Sequence, residues 1–325
     1  MMFKHSIKVL AVAVMLASLP LAQAAAPAAA TKQQRQPTFA SAAAEAQQAA
    51  QAEAAAKALV DAVRAMDAHA LVTVVGPGSR SWLFSGDPVS DRDDWKRFLA
   101  AYDRQHVIIH GPDGQTRLQV GEHGWTFPAP LVNQGEVWKF DATAGREETL
   151  NRRIGANELT SIQTLLAIVD AQREYAANDL DGNGSNDYAQ RFMSSEGKRD
   201  GLYWPTEAHQ AASPLGPLLG SAALERVGKQ LKTGKPVAYH GYHYRLLKGQ
   251  GKMAPGGAYS YLLGDRMIGG FAVLAFPAKY GVSGVMSFVV NHEGTVFQKN
   301  LGKNTAATAA GMRLYNPDGS WKKVP

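Results

Sequence analysis

The stretch NDLDGNGSNDYAQRF, residues 178–192, sets Asp179, Asp181, Asn183 and Asp187 around Gly182 and Gly184. Calcium takes hard oxygen ligands, and a short loop supplies several of them only where carboxylates alternate with residues that let the chain turn. With Asp179 as position 1, Asp181 falls at position 3, Asn183 at 5, Gly184 at 6, the Ser185 carbonyl at 7 and Asp187 at 9. That spacing follows the helix–loop calcium pattern. Position 12 is Gln190, where such loops carry a bidentate Glu, so the expected affinity falls to the roughly 10⁻⁴ to 10⁻³ M range of extracellular modules. The same residues also read as a solvated turn whose Asp and Asn side chains cap their own backbone. The sequence leaves both readings open.

Other chemistry is sparser. Tyr203 and Trp204 precede Pro205 in a loop region and are candidates to stack on a sugar or peptide ligand or, alternatively, to plug the core. His240 and His243, in AYHGYHYRLL, point to opposite faces if the segment is a strand and share a site only if it turns at Gly241. His292 is expected to lie exposed in a turn beside Glu293. There is no cysteine nucleophile and no Gly-x-Ser-x-Gly elbow, and GKQLKTGK has the wrong spacing for a phosphate-binding loop. Glu147 and Glu148 read as charges opening a helix, where they favour its dipole. No catalytic residues are assigned.

The elements that must position these residues fall into two groups. From Phe39 the chain is Ala-rich and free of Gly and Pro up to Gly76, which predicts a long helix and then a shorter one. A further helix, with Asp91 as a candidate cap, carries Trp95, Phe98, Leu99 and Tyr102. The pattern then changes to period 2 in VIIH, TRLQVGE, WTFPAPLVNQ and VWKFDATA. Helices followed by a sheet meander make an α+β roll over residues 39–145, and its element order resembles the nuclear-transport-factor-like cone.

After Gly145, Leu159, Ile162, Leu165, Leu166 and Val169 share one predicted helical stripe. That helix runs into the acidic loop. Beyond Lys235, aromatic and β-branched runs divided by Gly predict an antiparallel sheet packed on the helix. The fold class expected is therefore α+β, with a second domain over residues 146–325.

The N-terminus has Lys4 and Lys8, an apolar run and the small-residue pattern Ala22-Gln23-Ala24, which reads as a secretory signal peptide over residues 1–24. Residues 25–38, Ala-, Gln- and Pro-rich, read as a disordered leader. With no cysteine in the chain, lipoprotein acylation is excluded and no disulfide can form, so stability must come from burial. Of 34 basic and 28 acidic residues, two basic ones leave with the signal. The small excess forms no Lys/Arg-rich run, which argues against nucleic-acid binding, and no later segment is long and apolar enough to insert stably in a membrane.

The strings RRIGANELTSIQTLLAIVDAQREYAANDLDGNGSNDYAQRF, SSEGKRDGLYWP, SPLGPLL, YHGYHYRLLKGQG and APGGAYSYLLGDRMIGGFAVLAFPAKYGVSGVMSFVVNHEGTVFQKNLG, with WLFSGD at 82–87, occur in this order. Together they resemble the bacterial exported family catalogued as domain of unknown function 2950. The resemblance covers the chain from about Phe39 to its end. It implies an envelope protein of a Gram-negative bacterium, located in the periplasm, and carries over no catalytic residues. The family's loop is commonly Asp-x-Asp-Gly-Asp-Gly, and Asn183 replaces its middle acid, lowering the charge of the site. Another exported envelope protein is the implied partner. The functional expectation is thus a binding or accessory module with a calcium-stabilised loop. The alternative is an envelope hydrolase or isomerase using a cleft of the first domain or the aromatic, His-bearing strands.

Overall fold

The computed structural model describes residues 39–135, 137–206, 209–217 and 238–325. The expected signal peptide and leader lie outside the described residues, as does the end of the loop AASPLGPLLGS. Residues Ala49–Pro325 make one compact unit, and residues 39–48 ahead of it are the N-terminal turns of the first helix.

The fold is α+β. Helix α1 (Phe39–Arg64) follows from its Ala content, and it buries Ala52, Ala56, Leu59 and Val63. Asp67 caps α2 (Ala68–Val75) by accepting the N–H groups of His69 at 2.9 Å and Ala70 at 3.0 Å. A 3₁₀ turn (Pro77–Ser79) and the short α3 (Arg80–Leu83) lead to α4 (Pro88–Arg104). The cap of α4 is Asp87, not Asp91: the Asp87 carboxylate accepts the Val89 N–H at 2.9 Å. Pro88 has no N–H to satisfy and fits the first helical position, which moves the start of the helix ahead of Asp91. Asp91 is instead buried in the first turn, accepting the Ser85 N–H and hydroxyl, each at 2.7 Å.

Strands β1 (His106–His110), β2 (Thr116–Val120), β3 (Trp125–Thr126), β4 (Leu131–Asn133) and β5 (Trp138–Phe140) form an antiparallel sheet ordered β1-β2-β4-β5, with β3 also on β2. Leu118 and Val120 of β2 join Phe127, Leu131 and Phe140 under the helices in one hydrophobic core.

Helix α5 (Ala142–Ala177) runs 36 residues from its Asp141 cap, about 54 Å at 1.5 Å per residue. The junction expected at residues 145 and 146 falls within its first turns. Its buried face is Ser161, Leu165, Ile168, Val169, Gln172 and Tyr175. Leu159 and Leu166, placed on that stripe by the sequence, are 65% and 42% exposed. The apolar residues span a wider arc than the sheet covers, and Gln172 takes a core position that hydropathy alone assigns to solvent.

A second antiparallel sheet is ordered β14-β13-β12-β11-β6, with β6 Tyr242–Leu247, β11 Ala272–Pro277, β12 Met286–Asn291, β13 Phe297–Asn300 and β14 Lys322–Lys323. The pairs β7 (Gly249–Gln250) with β8 (Tyr259–Ser260) and β9 (Leu262–Leu263) with β10 (Arg266–Met267) are small hairpin additions. Strands β11 and β12 are buried along nearly their whole length; β11 is apolar throughout, while β12 also buries Ser287 and Asn291. Helix α6 (Thr305–Gly311), Ala-rich like α1, contacts β11 from the face opposite α5: of two adjacent β6 residues, Tyr244 reaches Ser161 of α5 and Arg245 reaches Ala309 of α6. Among the described residues no helix is long and apolar enough to cross a membrane.

Candidate functional site

The acidic loop begins where α5 stops. Asn178 donates its side-chain amide to Glu174 O at 2.7 Å, and the backbone turns left-handed at Asp179 (φ 42°). Asp tolerates this region better than most residues; Gly182 (φ 69°) and Gly184 (φ 79°) take it without a Cβ penalty. The Asp179 carboxylate accepts the N–H groups of Asn183 and Gly184, both at 3.0 Å. Asn183 is the hub of the loop. Its side-chain amide donates to Asp181 at 2.8 Å and to both oxygens of Asp187 at 3.2 Å. Two carboxylates from opposite ends of the loop thus converge on one N–H₂ group.

The burial of the five candidates is uneven. Asp181 and Asn183 are exposed, Asp179 and Ser185 are half-buried, and Asp187 is only 6% exposed. Among the described residues none of Asp179, Asp181 and Asp187 forms an ion pair. Their field reaches Tyr175: burial raises its phenol pKa, and the charges of Asp181 and Asp187 add to that shift. The Tyr175 hydroxyl donates to Arg199 O at 2.7 Å, tying the next loop to the same helix.

The exit of the loop is clamped. Tyr188 N–H donates to Met267 O at 2.8 Å, and the Tyr188 ring packs edge-on against Phe271 at 4.9 Å. Gln190 turns to other partners: its carbonyl accepts from Lys248 Nζ at 2.8 Å and its amide donates to Asp265 O. Among the described residues no three His, Cys, Asp or Glu side chains are grouped to hold a metal ion. A calcium ion in this loop would therefore draw on Asp181, Asp187, the Asn183 carbonyl oxygen and main-chain carbonyls. Rotating the Asn183 amide by half a turn exchanges N–H₂ for oxygen at the point of convergence, and the present orientation is fixed only by its hydrogen bonds.

The remaining candidates do not meet in one place. Trp204 is 8% exposed, belongs to the C-terminal core and lies under the Arg199 guanidinium at 5.4 Å. Tyr203 is half-buried against that core, and its backbone pairs with Phe192 and Ser194, each at 2.8 Å. The loop between is held by Asp200, which accepts the Ser195 N–H at 2.7 Å and its hydroxyl at 2.9 Å. Burial opposes ionisation of Asp200, yet those bonds outweigh it and hold its carboxyl below the ordinary range. His240 (φ 46°) and Gly241 (φ 75°) are the two central residues of a tight turn closed by Tyr239 and Tyr242, the geometry of a type I′ hairpin. His240 is exposed in that turn, while His243 lies on β6 with its ring 5.4 Å from Phe276. His292, expected to be exposed, is half-buried with its ring edge-on to Tyr261 and Phe271. The turn after β12 folds back over the core and carries it inward.

The sequence pointed to a cleft of the first domain without naming its walls; the N-terminal half holds one of about 470 Å³, walled by Trp82, Trp95, Phe98, Trp125 and Phe127. Phe127 is the hub of these rings, 6.1 Å from Trp82, 6.4 Å from Phe98 and 6.4 Å from Trp125. The aromatic residues come from α3, α4, β3 and the segment after it, so their convergence depends on tertiary structure. The titratable groups lining the cleft, Asp94 and Arg97, are paired with each other.

No curated protein and no solved structure matches this chain. The family model described as "Protein of unknown function (DUF2950)" matches residues 46–324, and the chain belongs to that family.

Proposed function

We propose that this protein is exported to the periplasm of a Gram-negative bacterium and acts there as a binding or accessory module for another exported envelope protein, with the loop Asp179–Asp187 organised by a structural calcium ion. The N-terminal sequence supports export, since its basic start, apolar run and Ala-Gln-Ala pattern suit a signal peptide.

One observation carries the calcium reading. Among the described residues, the buried Asp187 carboxylate is met by a single amide at 3.2 Å on each oxygen, and it faces Asp181 across that amide. A buried charge needs pairing or coordination to offset its lost hydration. A divalent cation between Asp181 and Asp187, with the Asn183 oxygen turned inward, supplies that compensation using ligands calcium prefers. The ion would fix the hand-over from α5 to β10 and would take no part in bond making.

Melting the purified protein in chelator and in calcium tests this reading. At a Kd of about 10⁻⁴ M, roughly 10 mM calcium adds about 2.7 kcal/mol of stability, which raises the melting temperature by several degrees. Asp187→Ala should abolish the increase. Identical melting of the parent with and without calcium contradicts the proposal.

A further inference from the structure

The aromatic cleft of the N-terminal half has the build of a ligand site. Its volume, about 470 Å³, falls within the roughly 300–1,000 Å³ of small-molecule pockets. Of its walls, Phe127 is buried, Trp82, Trp95 and Phe98 are half-buried, and Trp125 is 46% exposed. Large rings left partly in water around a concavity are an uncompensated apolar surface, and a ligand entering between them removes it from solvent.

The polar groups around the cleft identify the ligand's charge. Asp94 and Arg97 neutralise each other at the rim. Thr149 donates its hydroxyl to Gly145 O at 2.8 Å. Arg152, whose guanidinium lies 5.6 Å from the Trp125 ring, is bound by Glu148 at 2.6 Å and by Thr126 O and Oγ1, both at 2.8 Å. These groups are committed to protein partners. An ionic ligand would lose its hydration here without a counter-charge in return. The wall chemistry identifies the ligand's shape, because Phe98 and Trp125, and Trp125 and Phe127, meet edge to face and leave ring faces and edges for a further ring to join.

We propose that this cleft binds an uncharged small molecule built round an aromatic or fused-ring group. The proposal rests on the cleft alone and stands independently of calcium in the acidic loop.

The test uses the full mature protein and the neutral fluorophore N-phenylnaphthylamine, with its anionic relative anilinonaphthalene sulfonate alongside. Saturable emission enhancement at one site is expected with the neutral probe, and weaker binding with the sulfonate. Trp125→Ala removes one wall at a half-exposed position, and Ala101→Leu fills the cleft from α4; each should weaken the neutral probe by about tenfold. Leu263→Ala, an exposed position on β9, should leave binding unchanged. Melting curves of each variant establish that it is folded, and the two cleft variants alter the site in opposite senses of volume. No saturable binding, binding that survives both cleft variants, equal loss in Leu263→Ala, or tighter binding of the sulfonate would each overturn the proposal.

Discussion

Gln172 grips Ala189 with both ends of its amide: Nε2 donates to Ala189 O at 2.8 Å, and Oε1 accepts the Ala189 N–H at 2.9 Å, with both residues buried. This pair of hydrogen bonds between α5 and the chain just past Asp187 satisfies two buried backbone groups, and it sets where the acidic loop ends. Gln172→Leu leaves both groups unpaired. The expected cost is about 2–6 kcal/mol in urea unfolding, given roughly 1–3 kcal/mol for each of the two buried orphans. A loss below about 0.5 kcal/mol, within the scatter of ordinary surface substitutions, would mean that the loop exit is held elsewhere.

Asn183 now separates two carboxylates. Asn183→Asp puts a third acid at their point of convergence, so in chelator the variant should melt below the parent through like-charge repulsion. In calcium the order should reverse, with affinity up by about tenfold as ligand charge increases. A variant destabilised equally in both conditions would argue against an ion between Asp181 and Asp187.

Arg245 closes the C-terminal end of α6. Its Nη2 donates to Ala309 O and Met312 O, with Nη1 at 3.4 Å from Ala310 O. Carbonyls at a helix end have no partners within the helix, and the guanidinium also complements the dipole there. Arg245→Met should cost about 2–3 kcal/mol, in line with lost hydrogen bonds to a charged group, and α6 amides should lose protection in hydrogen exchange before β11 does. Unchanged α6 protection would contradict this role.

Several phenols are locked in the C-terminal core. Burial pushes Tyr244 and Tyr315 up to about 12, and Tyr175, Tyr242 and Tyr261 higher still. A group with a folded pKa above its unfolded value keeps its proton longer in the fold. Its stabilising contribution is therefore full below about pH 10 and is lost as pH rises toward 12 and beyond. Phenolate absorbance should show these tyrosines ionising late and together with unfolding, whereas in denaturant they titrate near 10. Complete ionisation near pH 10 in the folded protein would refute the burial assigned to them.

Much of this architecture was legible in the sequence because it depends on local periodicity. The Ala-rich run gave α1, and the alternation in TRLQV, whose residues 116, 118 and 120 are buried, gave β2. The apolar run AVLAFP and the largely apolar MSFVVN gave β11 and β12. Other features are tertiary. Nothing local distinguishes Leu166, exposed on α5, from the adjacent buried Leu165; only the position of the sheet does. Likewise Trp82 and Trp125 lie 43 positions apart in sequence, so the cleft they share could not be read from spacing. The acidic loop is the intermediate case. Its turn geometry and ligand types follow from local sequence, while the burial of Asp187 and the diversion of Gln190 to Lys248 and Asp265 depend on β10 and its neighbours.

The decisive measurement is a calorimetric titration of calcium into the purified protein, with Asp181→Ala and Asp187→Asn alongside. One site with a Kd of about 10⁻⁴ to 10⁻³ M is expected, lost in both variants while Leu263→Ala binds like the parent. No heat at millimolar calcium in the parent, or the same heat in all four proteins, would contradict it and leave residues 179–187 as a turn that caps its own backbone.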